Sequence, residues 1–191
     1  MKSIDSKKGK LIMIMGPPAS GKSTLAAEVH TQLKKRGINS AFVTEAATDF
    51  IAEYGVPNSP QDQMIIFYKQ LNREKMFLES KDYIICDSSS ILNYFYFRGL
   101  YNNTLSNKDI ASINHIQKEI LKHINTIDMV FYVPPIDTDT NDGIRFHGGD
   151  EIKKLGVLIK SYLELENIRH EDLSSIEMNS RVEYILKSIL K

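Results

Sequence analysis

Gly16-Pro17-Pro18-Ala19-Ser20-Gly21-Lys22-Ser23, followed by Thr24, fits the pattern G-x-x-x-x-G-K-[ST]. Ahead of it, Leu11-Ile12-Met13-Ile14-Met15 is an unbroken apolar run with the length of a fully buried strand. Behind it, Leu25, Val29 and Leu33 recur at helical spacing up to Gly37, which is placed to close a helix. Strand, glycine-bearing loop and helix in that order are the context this pattern requires. The glycines let successive backbone N–H groups turn inward toward phosphate oxygens, and the helix N-terminus adds its partial positive charge. Lys22 can reach β- and γ-phosphates while the Ser23 hydroxyl ligates Mg²⁺. The expected phosphate contacts are Gly16, Pro18, Ala19, Ser20, Gly21, Lys22, Ser23 and Thr24.

The 191 residues give room for one well-cored domain and too little for two, so residues 1–191 read as a single domain. Lys and Arg total 24, as do Asp and Glu, which removes any overall pull toward polynucleotides or anionic membranes. Runs such as Lys34-Lys35-Arg36 and Lys153-Lys154 read as solvated helix faces. The one cysteine, Cys86, lies in an apolar run, which excludes a disulfide framework or a Cys-based zinc site and suits a small buried hydrophobe. The five histidines form no ligand-like pair. The first ten residues lack an apolar core of the signal-peptide kind, and no segment approaches the roughly 18 apolar residues of a span. A soluble, cytoplasmic protein with no membrane partner is expected, with residues 1–9 as a loosely attached lead-in. No signal specifies an oligomeric state.

Further along, Ala41-Phe42-Val43 predicts a second strand, and residues 44–51 a helix stopped at Gly55-Val56-Pro57. Ser59 as N-cap, Pro60 and Asp62 start another helix, with Met64, Phe67, Tyr68, Leu71 and Leu78 as its apolar face through about Ser80. Tyr83-Ile84-Ile85-Cys86 predicts a third strand closed by Asp87, and residues 91–97 a buried or cleft-lining helix ending near Gly99. Ser106 and Asp109 cap a helix carrying Ile110, Ile113, Ile116 and Ile120, and residues 129–133 form a fourth strand stopped by Pro134-Pro135. Residues 134–150 are polar and without period, which suits a lid; helical periodicity resumes at Ile152. A weakly marked fifth strand falls within residues 168–176, and Val182, Ile185, Leu186 and Ile189 mark a last helix. Short apolar strands alternating with helices imply an α/β fold, a parallel five-stranded sheet with helices on both faces. In such a sheet the loops after the strands gather on one edge, which brings the Gly16–Ser23 loop, Glu45, Asp87 and the 134–150 lid together.

Asp87 closes an apolar strand, where a carboxylate can bind the Mg²⁺ shell or accept a proton from an attacking hydroxyl. The alternative is an N-cap for the next helix, a role Ser88, Ser89 or Ser90 could fill equally. Glu45 ends the second strand on the edge where an acceptor would sit, or else is a solvated acid favoured by a helix dipole; Asp49 is a second acid nearby. Arg145, after the turn signal Asp142-Gly143, is suited to close over a transferring phosphoryl group. Arg98 could contact phosphate or serve as a helix-end cation. Tyr94, Phe95, Tyr96 and Phe97 suit the core, with one free to stack on a base. Spacing leaves the division of labour between Asp87 and Glu45 open.

Residues 16–24, Val43-Thr44-Glu45-Ala46-Ala47, Ile85-Cys86-Asp87 and Asp142-Gly143-Ile144-Arg145-Phe146 together resemble the P-loop kinases related to the NadR-type ribosylnicotinamide kinase domain. That group includes many small phage and bacterial AAA-like ATPases and kinases. The likeness runs from Leu11 to about Leu190, and Arg181-Val182 resembles the start of the family's last helix. It implies a P-loop NTPase fold of nucleoside or nucleotide-kinase type, ATP and Mg²⁺ as cofactors, and transfer of the γ-phosphoryl group to a hydroxyl of a nucleoside- or nucleotide-like acceptor. Carried over, Lys22 and Ser23 take the phosphate and metal roles, Asp87 the strand-end acid and Arg145 the lid arginine. Together with the residue-level reading, the expected set is Lys22, Asp87, Glu45 and Arg145 as catalytic, Ser23 and Asp87 for the metal, and Glu45, Asp49 and Arg98 toward the acceptor. The alternatives are a kinase of nucleic-acid ends or modified bases, which neutral charge disfavours, and a nucleotide-binding switch or partner-dependent NTPase.

Overall fold

The computed structural model describes residues 9–100, 106–136 and 149–191. Five strands form one parallel sheet: β1 (Lys10–Met15), β2 (Ser40–Val43), β3 (Tyr83–Asp87), β4 (Met129–Tyr132) and β5 (His170–Asp172). Their spatial order is β2-β3-β1-β4-β5, every pair parallel, with β1 at the centre. The helices are α1 (Lys22–Lys35), α2 (Ala46–Tyr54), α3 (Pro60–Lys75), α4 (Ser90–Leu100), α5 (Asn107–Ile124), α6 (Gly149–Leu165) and α7 (Arg181–Ile189).

The central strand shows why its sequence is continuously apolar. Leu11, Met13 and Met15 pack on one face with Phe67 and Leu71 of α3, Leu92 of α4, Ile116 of α5 and Ile159 of α6. Ile12 and Ile14 pack on the other with Leu25, Val29 and Leu33 of α1 and Ile185, Leu186 and Ile189 of α7. Period-two alternation therefore delivers apolar side chains to two cores, and a polar residue has no solvated face to occupy. Burial of each such side chain contributes roughly 1.5–3 kcal/mol. Cys86 is fully buried in the first of these cores, and that burial pushes its thiol pKa well up.

Most elements match their sequence signals, and the departures have identifiable causes. The α3 start is the expected capping box: Ser59 Oγ accepts from Asp62 N–H at 3.2 Å, and Asp62 Oδ2 accepts from Ser59 N–H at 3.1 Å. The Asn58 N–H, which also donates to Asp62 Oδ2, and then the Ser59 hydroxyl and N–H hold the Asp62 carboxyl below its ordinary pKa. The helix stops at Lys75, and Leu78 is buried from the turn that follows. The inward face of α3 is also rotated from the expected one. Met64 and Tyr68 are half-buried, whereas Gln63, Ile66, Phe67, Gln70, Leu71 and Glu74 are buried. Two of these polar residues, Gln70 and Glu74, find hydrogen-bond partners inside the protein, which is why they can face inward. α4 runs to Leu100, near the expected end at Gly99.

Gly9 belongs to the body of the protein and not to a loose lead-in: it is buried, and its N–H donates to Leu78 C=O at 2.7 Å. Residues 1–8 lie outside the described residues, as does the predicted lid from 137 to 148; Gly149 and Asp150, counted in that lid, open α6. Among the described residues no helix is long and apolar enough to cross a membrane.

Candidate functional site

The register brings the predicted site residues to one sheet edge. Ile14 of β1 pairs with Asp87 of β3, and Val43 of β2 pairs with Cys86. The loop from Gly16 and the turn carrying Glu45 therefore leave the same end of three adjacent strands, on either side of Asp87. The pairing continues past the strands, with Ser88 N–H donating to Ile14 C=O at 3.1 Å and Val133 N–H to Met15 C=O at 2.7 Å.

The loop is fixed by close approach and by unusual backbone. A Cβ on Gly16 would lie 2.4 Å from Val133 O and 2.9 Å from Ser20 Oγ, so no other residue fits there without moving the backbone. Gly21, the N-cap of α1, has φ of 79°, in the left-handed region, and makes no side-chain cap. Ala19 also has positive φ, at 62°, a conformation that costs a non-glycine residue roughly 1–2 kcal/mol. With no cap and no acidic residue in the first turn, the α1 N-terminus keeps its donors for an anion. Lys22 is largely buried at this terminus, while Ser23 and Thr24 are exposed.

Asp87 is 6% exposed, with the Ser23 hydroxyl, Lys22 and Glu45 close enough to act on its carboxylate. Burial raises its pKa; the Ser23 hydroxyl and the Lys22 charge oppose that rise, and the Glu45 charge adds to it. Its Oδ1 is buried without a hydrogen-bond partner, as are Ser20 Oγ and Ser88 Oγ. These unmet groups belong to the loop and to the end of β3, where a ligand would complete them. A carboxylate oxygen beside a hydroxyl is a hard donor pair of the kind Mg²⁺ uses together with phosphate oxygens, so the residues fit that ion. The helix-cap alternative for Asp87 fails, because Ser89 caps α4: its Oγ accepts from Ile91 N–H at 3.2 Å.

Glu45 occupies the N-cap position of α2 without capping it; its Oε2 accepts from Thr48 Oγ1 at 3.2 Å. Its charge also reaches Tyr96 on α4, whose phenol pKa is raised first by burial and then by Glu45. Asp49 is paired with Arg73 of α3 and is exposed. Arg98 falls in the last turn of α4 with its side chain outside the described residues, and Arg145 lies outside them entirely.

Beside the loop lies a cleft of about 360 Å³. It is lined by Ser20, Gly21, Thr24 and Glu28 from the loop and α1, by Val133 and Ile136 after β4, and by Met178, Asn179 and Arg181 leading into α7. Sequence reasoning gave Arg181 no site role; its Nε donates to Ile176 C=O at 3.1 Å and burial lowers its pKa. Gln70 and Glu74 were also missed, although a signal existed: helical spacing from Leu71 falls next on Glu74 and Lys75, neither of them apolar.

A family model described as an AAA domain matches residues 11–181. Among solved structures, the chain is similar to the NadR protein in complex with NR, at 18% identity and a TM-score of 0.71, over 95% of this chain and 50% of that one. It is also similar to the deoxyadenosine kinase from M. mycoides with bound dATP, at 14% identity and a TM-score of 0.66, over 94% and 98% of the two chains. This chain therefore spans about half the length of the NadR protein. A comparison with curated proteins gives no match. What is shared at these identities is the fold, a parallel α/β sheet of the P-loop NTPase kind.

Proposed function

Since the chain belongs to the AAA domain family, matched over residues 11–181, we propose that it is an ATP- and Mg²⁺-dependent kinase. In this reading it transfers the γ-phosphoryl group to a hydroxyl of a nucleoside- or nucleotide-like acceptor. The observation that carries the reading is the buried Asp87 carboxylate, within reach of Lys22 and the Ser23 hydroxyl and with its Oδ1 left without a hydrogen-bond partner. A carboxylate, a hydroxyl and a lysine at an uncapped helix N-terminus suit a metal-bound triphosphate. The acceptor class rests on fold likeness to the NadR protein solved with NR and the deoxyadenosine kinase solved with dATP.

The same geometry supports a division of labour between the acids. Ser23 and Asp87 would hold Mg²⁺, which when bound neutralises charge on the phosphates. Lys22 donates to phosphate oxygens as charge moves toward the leaving group. Glu45, which caps no helix, takes the proton from the acceptor hydroxyl. That oxygen then bonds to the γ-phosphorus as the bond to the β-phosphate oxygen breaks, leaving ADP. Arg145 remains assigned to the closing lid, and Asp49 and Arg98 to the acceptor side. The cleft bounded by Thr24 and Arg181 is of a size that takes a small ligand, and it receives the donor base.

The test is incubation with ATP, Mg²⁺ and a panel of nucleosides, nucleotides and short oligonucleotides, read by mass spectrometry. A monomeric panel member gaining one phosphate supports the proposal. Phosphate appearing only on oligonucleotides, or ATP binding with no product at all, refutes it.

A further inference from the structure

We propose that Gln70 and Glu74 of α3 are positioning residues that hold the two acid-bearing turns in place, Gln70 acting through Glu45 and Glu74 acting through Asp87. The inference rests on the kinase reading for its catalytic consequence, and on geometry for the rest. The first N–H groups of any helix need partners from outside the helix. In α2 the residue in the N-cap position is Glu45, whose side chain makes no cap, and the Ala46 N–H instead donates to Gln70 Oε1 at 2.8 Å. In α4 the Ser90 N–H donates to Glu74 Oε1 at 2.6 Å, and Ser90 Oγ donates to Glu74 Oε2 at 2.7 Å. Both α3 residues are fully buried.

Residues four apart lie on one helix face, so a single face of α3 reaches the turn after β2 and the turn after β3. Arg73, between them, reinforces the first turn by donating to Thr44 O and Thr44 Oγ1, each at 3.4 Å. Glu74 is anchored from behind, because its Oε2 meets His123 Nε2 of α5 at 2.7 Å and His123 Nδ1 meets Thr126 Oγ1 at 3.0 Å. Both Glu74 oxygens have partners, and a buried group satisfied in this way fixes geometry; Gln70 uses its oxygen on Ala46 and leaves its Nε2 buried without a hydrogen-bond partner. The consequence for Glu45 is positional: Gln70 holds the N–H of the next residue and so pins the turn from which the Glu45 carboxylate projects, with Thr48 Oγ1 donating to that carboxylate.

The variants are Gln70→Met and Glu74→Met, which remove the acceptor oxygens at similar volume. The first readout is residue-resolved amide hydrogen exchange in the full chain without ligand. Gln70→Met should speed exchange at Ala46 by about tenfold or more and leave Ser90 unchanged, and Glu74→Met should do the reverse. Glu74→Gln keeps one oxygen for the Ser90 N–H and should preserve slow exchange there. The second readout is turnover, where each Met variant should lower kcat about tenfold with ATP affinity unchanged, and the Gln70→Met loss should vanish when Glu45 is already Gln but persist beside Asp87→Asn. The Glu74→Met loss should show the opposite pattern. Gln70→Glu keeps an acceptor oxygen at the same reach and should preserve slow exchange at Ala46, which provides the decisive variant if Gln70→Met does not fold. Unchanged Ala46 exchange in folded Gln70→Met, fast Ala46 exchange in Gln70→Glu, or losses that persist in the matched backgrounds would each overturn the proposal. Expected exchange changes in a protein that phosphorylates no acceptor would sink the kinase reading alone and leave the positioning intact.

Discussion

Replacing Asp87 by Asn should stabilise the ligand-free protein while impairing its chemistry. Burial and the nearby Glu45 charge raise the Asp87 pKa, and the Ser23 hydroxyl and Lys22 charge do not fully offset them. The folded state thus favours the protonated carboxyl. Stability from this group is complete below the ordinary aspartate range, near about 3.9, and is lost as pH climbs through the raised folded value. At neutral pH the wild-type protein carries a buried charge with one unpaired oxygen, a feature that costs roughly 1–3 kcal/mol. Asn keeps the shape and an acceptor for Ser23 but forfeits the attraction to Lys22, so a net gain of about 1 kcal/mol is expected. For a chain of this length that is a rise in Tm of about 2–4 °C. The assay is thermal unfolding from pH 4 to pH 8, with and without ATP and Mg²⁺. The Asn advantage should grow with pH from near zero at the acid end. Saturating ligand at about 100 times Kd adds about 2.7 kcal/mol to a protein that binds it. The variant should gain less than wild type when Mg²⁺ is present and the same when it is chelated. A ligand-free variant less stable than wild type at neutral pH, or an undiminished Mg²⁺-dependent gain, would refute the reasoning.

Three further outcomes are expected. Lys22→Ala should lower phosphoryl transfer by about 100-fold or more in a steady-state assay, since it removes a donor aimed at developing charge; its Tm should change by no more than about 2 °C, because the side chain serves phosphate and not the core. Gly16→Ala forces a Cβ to within 2.4 Å of Val133 O, and denaturant unfolding should show a loss of about 2–3 kcal/mol together with loss of nucleotide binding. Ser59→Ala breaks the capping box at the start of α3 and should cost about 1 kcal/mol by the same method, with kcat unchanged. A fall in kcat there would mean that the α3 terminus has a role beyond stability.

The fold was legible because its signals are local and mutually consistent. The apolar pentad at 11–15, the glycine loop and the Ser59 cap each leave one choice of backbone, and strands alternating with helices leave one sheet type. The five-stranded parallel sheet and its helices follow from these. The site was legible where residues cluster in sequence or end a strand, as Lys22, Ser23 and Asp87 do. It was less legible where a residue matters through a partner far away in the chain. Glu74 looks like an ordinary surface acid until His123, 49 positions on, is found against it. Gln70 requires knowing that Glu45 leaves its own helix start unserved. The rotation of the α3 face has the same origin: a polar side chain faces inward only when tertiary contacts supply its hydrogen bonds, and periodicity records hydrophobicity alone. Arg181 joined the cleft because the sheet order sets α7 against α1, a matter of topology with no local signature.

The central position of β1 splits the business end of the molecule into two flanks. On one side, β3 and β2 present Asp87 and Glu45; on the other, the segment after β4 and the start of α7 line the cleft next to Thr24. Each flank is hung from its own strands, about 4.8 Å apart from their neighbours across the sheet, and only the loop after β1 is common to both. Such a layout is modular: substitutions can retune what one flank recognises without disturbing the other or the grip of the shared loop, so selectivity can drift across descendants of one scaffold while its phosphate handling stays fixed.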